Sequence, residues 1–183
     1  MLNVKNNASS SLILLPMFLA ILGSIIMCAV IFLPYATATD EYAQWIDAFS
    51  DVVIYEKNEM TASDLKDVSM VEFADVYSSN SMEIWGNQGN GTMYVVLVAL
   101  IGGFSLLGVL FASIKKPVAL IMMIVLAFVT FLIQNWDYSD RGVIPGLNYE
   151  WGFGYYVFYA ATAVAFIASI WMIVIKRKKV SET

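Results

Sequence analysis

The chain has 183 residues, of which 60% are hydrophobic and 14% are charged, against about 25% charged residues in an average soluble domain. The formal net charge is −5, histidine is absent, and Cys28 is the single cysteine. This composition excludes an ordinary water-soluble protein, disulfides within the chain, and catalytic or metal sites that need histidine.

Four stretches lack Asp, Glu, Lys and Arg and are long enough to cross about 30 Å of hydrocarbon. Their length and the absence of period-two alternation favour helices over barrel strands. The sequence therefore predicts an all-α integral membrane protein. It would be an antiparallel four-helix transmembrane bundle with a partly helical extracytoplasmic cap from the first outer loop. The predicted spans are 12–34, 93–113, 117–134 and 153–175.

Lysine and arginine near the span ends predict the orientation, because cytoplasmic loops carry an excess of them. Three lie on one side, namely Lys57, Lys66 and Arg141, and seven on the other. We therefore expect both termini in the cytoplasm and a location in the cell membrane. The cytoplasmic parts would be 1–11, the basic turn 114–116 and the tail 176–183. The seven residues are Lys5, Lys115, Lys116, Lys176, Arg177, Lys178 and Lys179.

The first span ends beside Ala36-Thr37-Ala38, a small-x-small triplet of the kind that signal peptidase cuts. A cleavable signal has an apolar core of about 7–15 residues, and Leu12–Leu33 is longer. The length predicts an uncut first helix that ends in a hinge at Pro34. Cleavage after Ala38, which would leave three spans, is the alternative.

The predicted outer segment 35–92 has eleven acidic residues and two lysines, a local balance of −9. From Thr39, a predicted N-cap, apolar residues at three- and four-residue spacing indicate an amphipathic helix. Two further short helices are predicted, one over 63–67 and one over 71–77, where a strand is the alternative. The apolar face of the first helix is a candidate interaction surface, made of Tyr42, Trp45, Ile46, Phe49 and Val53.

Three interpretations of this segment stay open. It could cap its own helices, dock a partner, or bind a divalent cation weakly. Its acids lack EF-hand spacing, and the stretch Asp137–Gly142 matches that pattern poorly. We therefore predict no metal ligands and no cofactor.

Aromatic residues cluster at the predicted outer boundaries, where tryptophan and tyrosine favour lipid headgroups. Membrane anchoring is the first interpretation, and an aromatic binding cleft is the alternative. The residues are Tyr35, Trp85, Tyr94, Trp136, Tyr138, Tyr149, Trp151, Tyr155 and Tyr156.

Small residues recur at every fourth position of the second and fourth spans, which allows helices to approach closely. We expect the second span to pack against the fourth through these residues, or the stripes to mediate self-association or docking onto a larger membrane protein. The residues are Ala99, Gly103, Gly108, Ala112, Ala161, Ala165 and Ser169.

The stretch "EIWGNQ", Glu83 to Gln88, contains a Trp85-Gly86 pair. Together with the long first outer loop, the short basic turn and the shorter second outer loop, it resembles the claudin-type four-helix layout. The first claudin loop carries a Trp-Gly-Leu-Trp-like motif with two cysteines, and this segment has none. The resemblance therefore implies a topology and no claudin activity.

The chain offers no catalytic constellation. Ser-His and Cys-His pairs are excluded because the chain has no histidine. The glycines form neither a phosphate loop nor a dinucleotide fingerprint. The predicted spans contain no Asp, Glu, Lys or Arg of the kind that ion pumps and carriers use within the bilayer. The sequence predicts a non-enzymatic accessory subunit that engages the lipid bilayer and a larger membrane partner. Nucleic acid is not expected, because the basic tail follows a span directly. The alternatives are a channel or transporter component and a membrane-embedded enzyme acting on lipid or envelope substrates.

Overall fold

The computed structural model describes residues 12–80 and 88–181. In this part of the chain, four helices are long and apolar enough to cross a membrane, as predicted: Leu14–Phe32, Gly91–Ser113, Pro117–Asp140 and Phe153–Lys178. The helices are α1 (Leu14–Ala29, followed by a 3₁₀ turn, Val30–Phe32), α2 (Asp40–Ala48), α3 (Met70–Ser79), α4 (Gln88–Ser113), α5 (Pro117–Asp140) and α6 (Phe153–Ser181).

The fold is mostly helical but not all-α, because the connecting segments form two small sheets. A three-stranded antiparallel sheet has the order β4-β1-β5, and β2 pairs with β3. Strands of two to five residues are too short to show alternation in the sequence. They are β1 (Pro34–Ala38), β2 (Val53–Tyr55), β3 (Met60–Thr61), β4 (Asp67–Ser69) and β5 (Tyr149–Trp151).

The hinge predicted at Pro34 is instead the start of the central strand. Ala36 pairs with Val68 of β4 on one side and with Trp151 of β5 on the other. Proline suits this position because its fixed φ is compatible with extended backbone and it needs no ladder partner for an N–H. Strand β1 therefore links α1 directly to the strand that precedes α6.

Short-range signals predict the helices between 39 and 80 well. The Thr39 side chain accepts a hydrogen bond from the backbone N–H of Tyr42 over 3.4 Å and caps α2. At α3, Ser69 and Glu72 form a reciprocal capping box, so the helix was the correct alternative there. The helix expected over 63–67 is only a 3₁₀ turn, Ser63–Leu65, because β4 follows it at once.

The membrane-length helices pack as neighbours in a defined order. Helix α1 contacts α4 and α6, and α5 also contacts α4 and α6. Helix α3 packs on α4, near the end of the helices where β1 and β5 lie; we call this the sheet end. The opposite end, with the turn 114–116, is the lysine end.

Close approach occurs at α1 and not between the second and fourth spans as expected. A Cβ on Gly23 would lie 2.9 Å from both the Ala161 carbonyl oxygen and the Ala165 Cβ, and one on Gly108 would lie 3.0 Å from the Ser24 Oγ. Ala99 and Gly103 are exposed. Ala112, Ala161, Ala165 and Ser169 are buried. A four-residue stripe predicts close packing but does not identify the partner helix.

Candidate functional site

Tyr35 of β1 attaches the connecting segment 34–80 to the long helices. Its side chain is fully buried, and its hydroxyl donates to the Asn135 Oδ1 over 2.5 Å. Burial raises the pKa of this phenol well above its ordinary value, so it remains a donor. Its ring lies against four other rings, those of Phe73, Phe131, Tyr138 and Trp151.

A partly buried ion pair lies beside this attachment. The Arg141 Nη2 donates to the Asp137 Oδ2 over 2.7 Å, and the Tyr94 hydroxyl donates to the same oxygen over 2.6 Å. The guanidinium also lies 5.3 to 5.5 Å from the ring centroids of Tyr77, Tyr94 and Tyr138. Burial lowers the pKa of Arg141, but Tyr94, Tyr77 and Asp137 together raise it above its ordinary value. The charge is therefore permanent.

Next to this ion pair, a cleft of about 430 Å³ opens between α3 and the loop 142–149. That volume is in the range of small-ligand pockets. No lining residue carries a charge, and the walls are apolar and aromatic. Burial raises the pKa of Tyr55, Tyr77 and Tyr149, so the phenols near the cleft are neutral donors. The lining residues are Tyr55, Leu65, Val68, Phe73, Val76, Tyr77, Gly142, Val143, Leu147, Asn148 and Tyr149.

A second cleft, of about 310 Å³, shares Leu147 and Asn148 with the first. Its other lining residues are Glu41, Tyr42 and Trp45. Leu147 is 94% exposed and is common to both clefts. The loop residue thus connects the two clefts along one surface.

The face of α2 beside the second cleft is aromatic. The rings of Tyr42 and Trp45 stack 5.6 Å apart, and the ring of Phe49 lies 5.4 Å from that of Trp45. Trp45 is 42% exposed and Phe49 is 48% exposed. We call Tyr42, Trp45 and Phe49 the α2 aromatic face. Val52 and Val53, which follow α2 in the chain, are also exposed apolar residues.

The candidate interaction residues divide between two environments. Ile46 is buried and packs in the core, so it is not part of the exposed face, and Val53 lies in β2. Helical periodicity places Ile46 on the same apolar stripe of α2 as Tyr42, Trp45 and Phe49, but Ile46 lies at the edge of the stripe that packs against the core. The stripe therefore includes both a core contact and an exposed surface.

The surroundings of the α2 aromatic face are acidic. Asp40, Glu41, Asp47 and Asp51 lie on or next to α2 and are exposed. Lys66 pairs with Asp47 over 3.0 Å. Since both side chains are largely exposed, this pair contributes little to stability.

The expected headgroup anchors also divide. Tyr35, Tyr94 and Tyr138 are buried and pack with other rings, so they do not meet lipid, whereas Trp136 and Tyr156 are well exposed. Tyr149 lines the first cleft, and Trp151 stacks on Tyr155. Trp85 and Gly86, and with them the claudin-like pair, lie outside the described residues. Of these aromatic residues, Tyr149 alone among the described ones lines either cleft, so the aromatic-cleft alternative stays a prediction.

Five of the residues expected to set the topology lie at the lysine end. The Lys176 Nζ donates to the backbone carbonyl of Lys115. Lys115, Lys116, Lys176, Arg177 and Lys178 are all exposed. Lys5 and the side chain of Lys179 lie outside the described residues.

The acidic residues do not converge on a metal site in the described part of the chain. No group of three or more Cys, Asp or Glu side chains there is placed to hold an ion. Asp137, from the stretch that matches an EF-hand poorly, instead accepts hydrogen bonds from Arg141 and Tyr94.

Sequence reasoning missed the Tyr35–Asn135 contact and the Arg141 cluster, and of the residues that line the two clefts it singled out as candidates only Tyr42, Trp45 and Tyr149. Asn135 and Arg141 follow a span in sequence, and polar residues at that position were assigned to a loop. The available signal was the helical spacing of Gln134, Tyr138 and Arg141, which continues α5 past the predicted end of the span.

Comparison of the chain with protein-family models, with curated proteins and with solved structures finds no match in any of the three.

Proposed function

We propose that the chain is a four-helix protein of the cell membrane, with both termini in the cytoplasm, that docks a larger membrane or envelope protein. The sheet and α2 and α3 would form an extracytoplasmic cap, and the α2 aromatic face would be the contact surface. The exposed rings of Trp45 and Phe49 carry this proposal. Tryptophan and tyrosine are enriched at the centres of protein interfaces, where they supply large area at small entropic cost.

The attachment of the cap supports a binding role. Tyr35 and the pairing of β1 with β5 connect it to α1, α5 and α6, so the aromatic face is presented on a fixed support. A surface that is already ordered loses less conformational entropy when it binds. The second cleft, which Tyr42 and Trp45 line, adds a concave position for an apolar side chain of a partner, and the first cleft adjoins it at Leu147 and Asn148.

The charge around the face indicates the chemistry of the partner. Asp40, Glu41, Asp47 and Asp51 flank the apolar rings, and complementary potentials favour a partner with lysine or arginine around an apolar pocket. The same acids disfavour direct contact of this face with anionic lipid headgroups.

The polar groups within the spans favour docking over transport. Ser105, Thr130, Thr162 and Ser169 each donate to the carbonyl four residues earlier in their own helix. Within the described part of the chain, no hydrogen-bond partner is found for the buried Ser24 Oγ, the Gln134 side-chain amide or the Tyr138 hydroxyl. A transport path through the bilayer needs a continuous series of ionisable or hydrated groups. These separate polar side chains do not form such a series.

Site-specific photo-crosslinking in the native membrane tests the proposal. A photoreactive phenylalanine at Trp45 should give one dominant protein adduct, whereas the same group at the exposed Glu56, in a 3₁₀ turn that packs beside α3, should not. Equal adducts from both positions would contradict docking at this face.

The matched variants keep or remove the rings. We expect W45A/F49A to lower recovery of the adduct partner at least tenfold, because truncating such anchors costs about 2 kcal/mol or more. We expect W45F/F49Y to retain it. Proteoliposomes of the purified chain should show no ion or solute flux, and flux under a gradient would favour the transport alternative.

A further inference from the structure

Two segments distant in sequence meet at the lysine end. The Lys176 Nζ at the end of α6 donates to the carbonyl oxygen of Lys115, in the turn between α4 and α5. That turn is fixed by its backbone. The N–H of Lys116 donates to the Phe111 carbonyl over 2.9 Å, and Lys115 has a left-handed φ of 57°. The basic residues of the turn and of α6 therefore occupy one defined region.

This region has little negative charge in the chain to balance it. No Asp or Glu occurs from 84 to 136 or from 151 to 181, which includes all of α4, α6 and the turn, and Glu182 is the single acid that follows α6 in the chain. The N-terminus of the 24-residue helix α5 also lies here, and its first N–H groups and dipole add positive potential. The site therefore attracts anions from outside the chain.

Exposed apolar residues lie immediately beside the basic ones. Ile114 is 50% exposed and Val118 is 64% exposed, on either side of Lys115 and Lys116. Val174 is also exposed, one residue before Ile175 and Lys176. A free phosphate would gain nothing from these side chains, whereas an amphiphile would place its acyl chains against them.

We propose that the lysine end binds an anionic phospholipid, with its phosphate held by Lys115, Lys116, Lys176 and Arg177 and its acyl chains along Ile114, Val118 and Val174. Ammonium and guanidinium groups are the ordinary protein partners of phosphate. The position suits a lipid, because the basic groups begin where the apolar spans end. The site is distinct from the α2 aromatic face and does not depend on the proposed docking function.

Lipid retention tests the site. The full chain is reconstituted in nanodiscs that contain equal phosphatidylglycerol and phosphatidylcholine, extracted in mild detergent and examined by native mass spectrometry. We expect the wild-type chain to retain phosphatidylglycerol preferentially. We expect K115Q/K176Q to lower that preference about tenfold or more, since two of the basic residues that attract the anionic headgroup lose their charge.

Two matched variants separate a defined site from general charge and from misfolding. K115R/K176R should keep the preference, and K57Q/K66Q, which removes two lysines from the connecting segment, should leave it unchanged. Equal retention of both lipids by the wild-type chain would overturn the proposal, and so would equal loss in K57Q/K66Q. Inorganic phosphate at millimolar concentration should not displace the lipid, and displacement would assign the site to free phosphate.

Discussion

Asp137 and Arg141 lie one helical turn apart at the sheet end of α5, and the Arg141 guanidinium joins three tyrosine rings to that carboxylate. About a quarter of each side chain is exposed, at 22% for Arg141 and 26% for Asp137. The pair therefore connects α3, α4 and α5 at the place where the first cleft opens. Its loss should affect both stability and the shape of that cleft.

We expect Arg141→Met to lower the free energy of unfolding by about 2 kcal/mol, because it leaves a partly buried carboxylate without its cation. Thermal unfolding in detergent should then occur roughly 5 °C lower. The control is Lys66→Met, which breaks the exposed pair with Asp47 and should cost less than about 0.5 kcal/mol. Equal losses in both variants would mean that the Arg141 cluster contributes no more than a surface pair.

Gly23 should be the least replaceable glycine among the spans. A Cβ there meets the Ala161 carbonyl oxygen and the Ala165 Cβ at 2.9 Å, so Gly23→Ala must push α1 away from α6. Such overpacking costs about 1–3 kcal/mol. Gly103→Ala, where nothing lies within 4 Å of the new Cβ, should be neutral or slightly stabilising. Thermal unfolding should show that Gly23→Ala is less stable than Gly103→Ala. The reverse order of stability would be inconsistent with this packing.

Tyr35→Phe should destabilise the attachment of the connecting segment. It keeps the ring contacts but removes the only donor described for the buried Asn135 Oδ1. An unpaired buried acceptor costs about 1–3 kcal/mol. Hydrogen exchange should then increase in β1 and β5, while Tyr156→Phe, at an exposed ring, should leave it unchanged. No difference between the two variants would show that the hydroxyl is not needed.

The turn at Thr61 should loosen in acid. Asp64 accepts hydrogen bonds from the N–H and the hydroxyl of Thr61, each over 2.8 Å, and they lower the pKa of Asp64 below its ordinary 3.8. Because the folded-state pKa is the lower one, this stabilisation is present above pH 3.8 and is lost as the pH falls through the folded-state pKa. The Thr61 amide resonance should follow this titration, and Asp64→Asn should abolish the pH dependence. An unchanged titration in that variant would contradict the assignment.

Features set by neighbouring residues could be predicted from the sequence. Span length identified the four long helices, and Thr39 identified the start of α2. Both depend on interactions within a few residues or on composition alone. Strand β1 could not be predicted in this way, because its partners Val68 and Trp151 are far away in the chain.

The candidate site was only partly predictable for the same reason. Helical spacing found Trp45 and Phe49, but it could not distinguish them from Ile46, whose burial depends on tertiary packing. The small-residue pattern likewise gave Ala99 and Gly103 the same weight as Ala161. In the first span, Ala20 and Ser24 form a similar pair beside Gly23, and this pair was the available signal for the close approach of α1 to α4 at Gly108 and to α6 at Ala161.

The triplet Ala36-Thr37-Ala38 has a different accessibility before and after folding. In the folded chain it is the centre of a sheet, with Ala36 fully buried and neighbours paired on both sides. A peptidase needs an extended segment with free backbone groups, so it would first have to separate β1 from β4 and β5. Yet β5 is synthesised more than one hundred residues after Ala38. A peptidase can therefore cleave the triplet only before β5 has been synthesised. Once β5 has paired with β1, the triplet is no longer accessible.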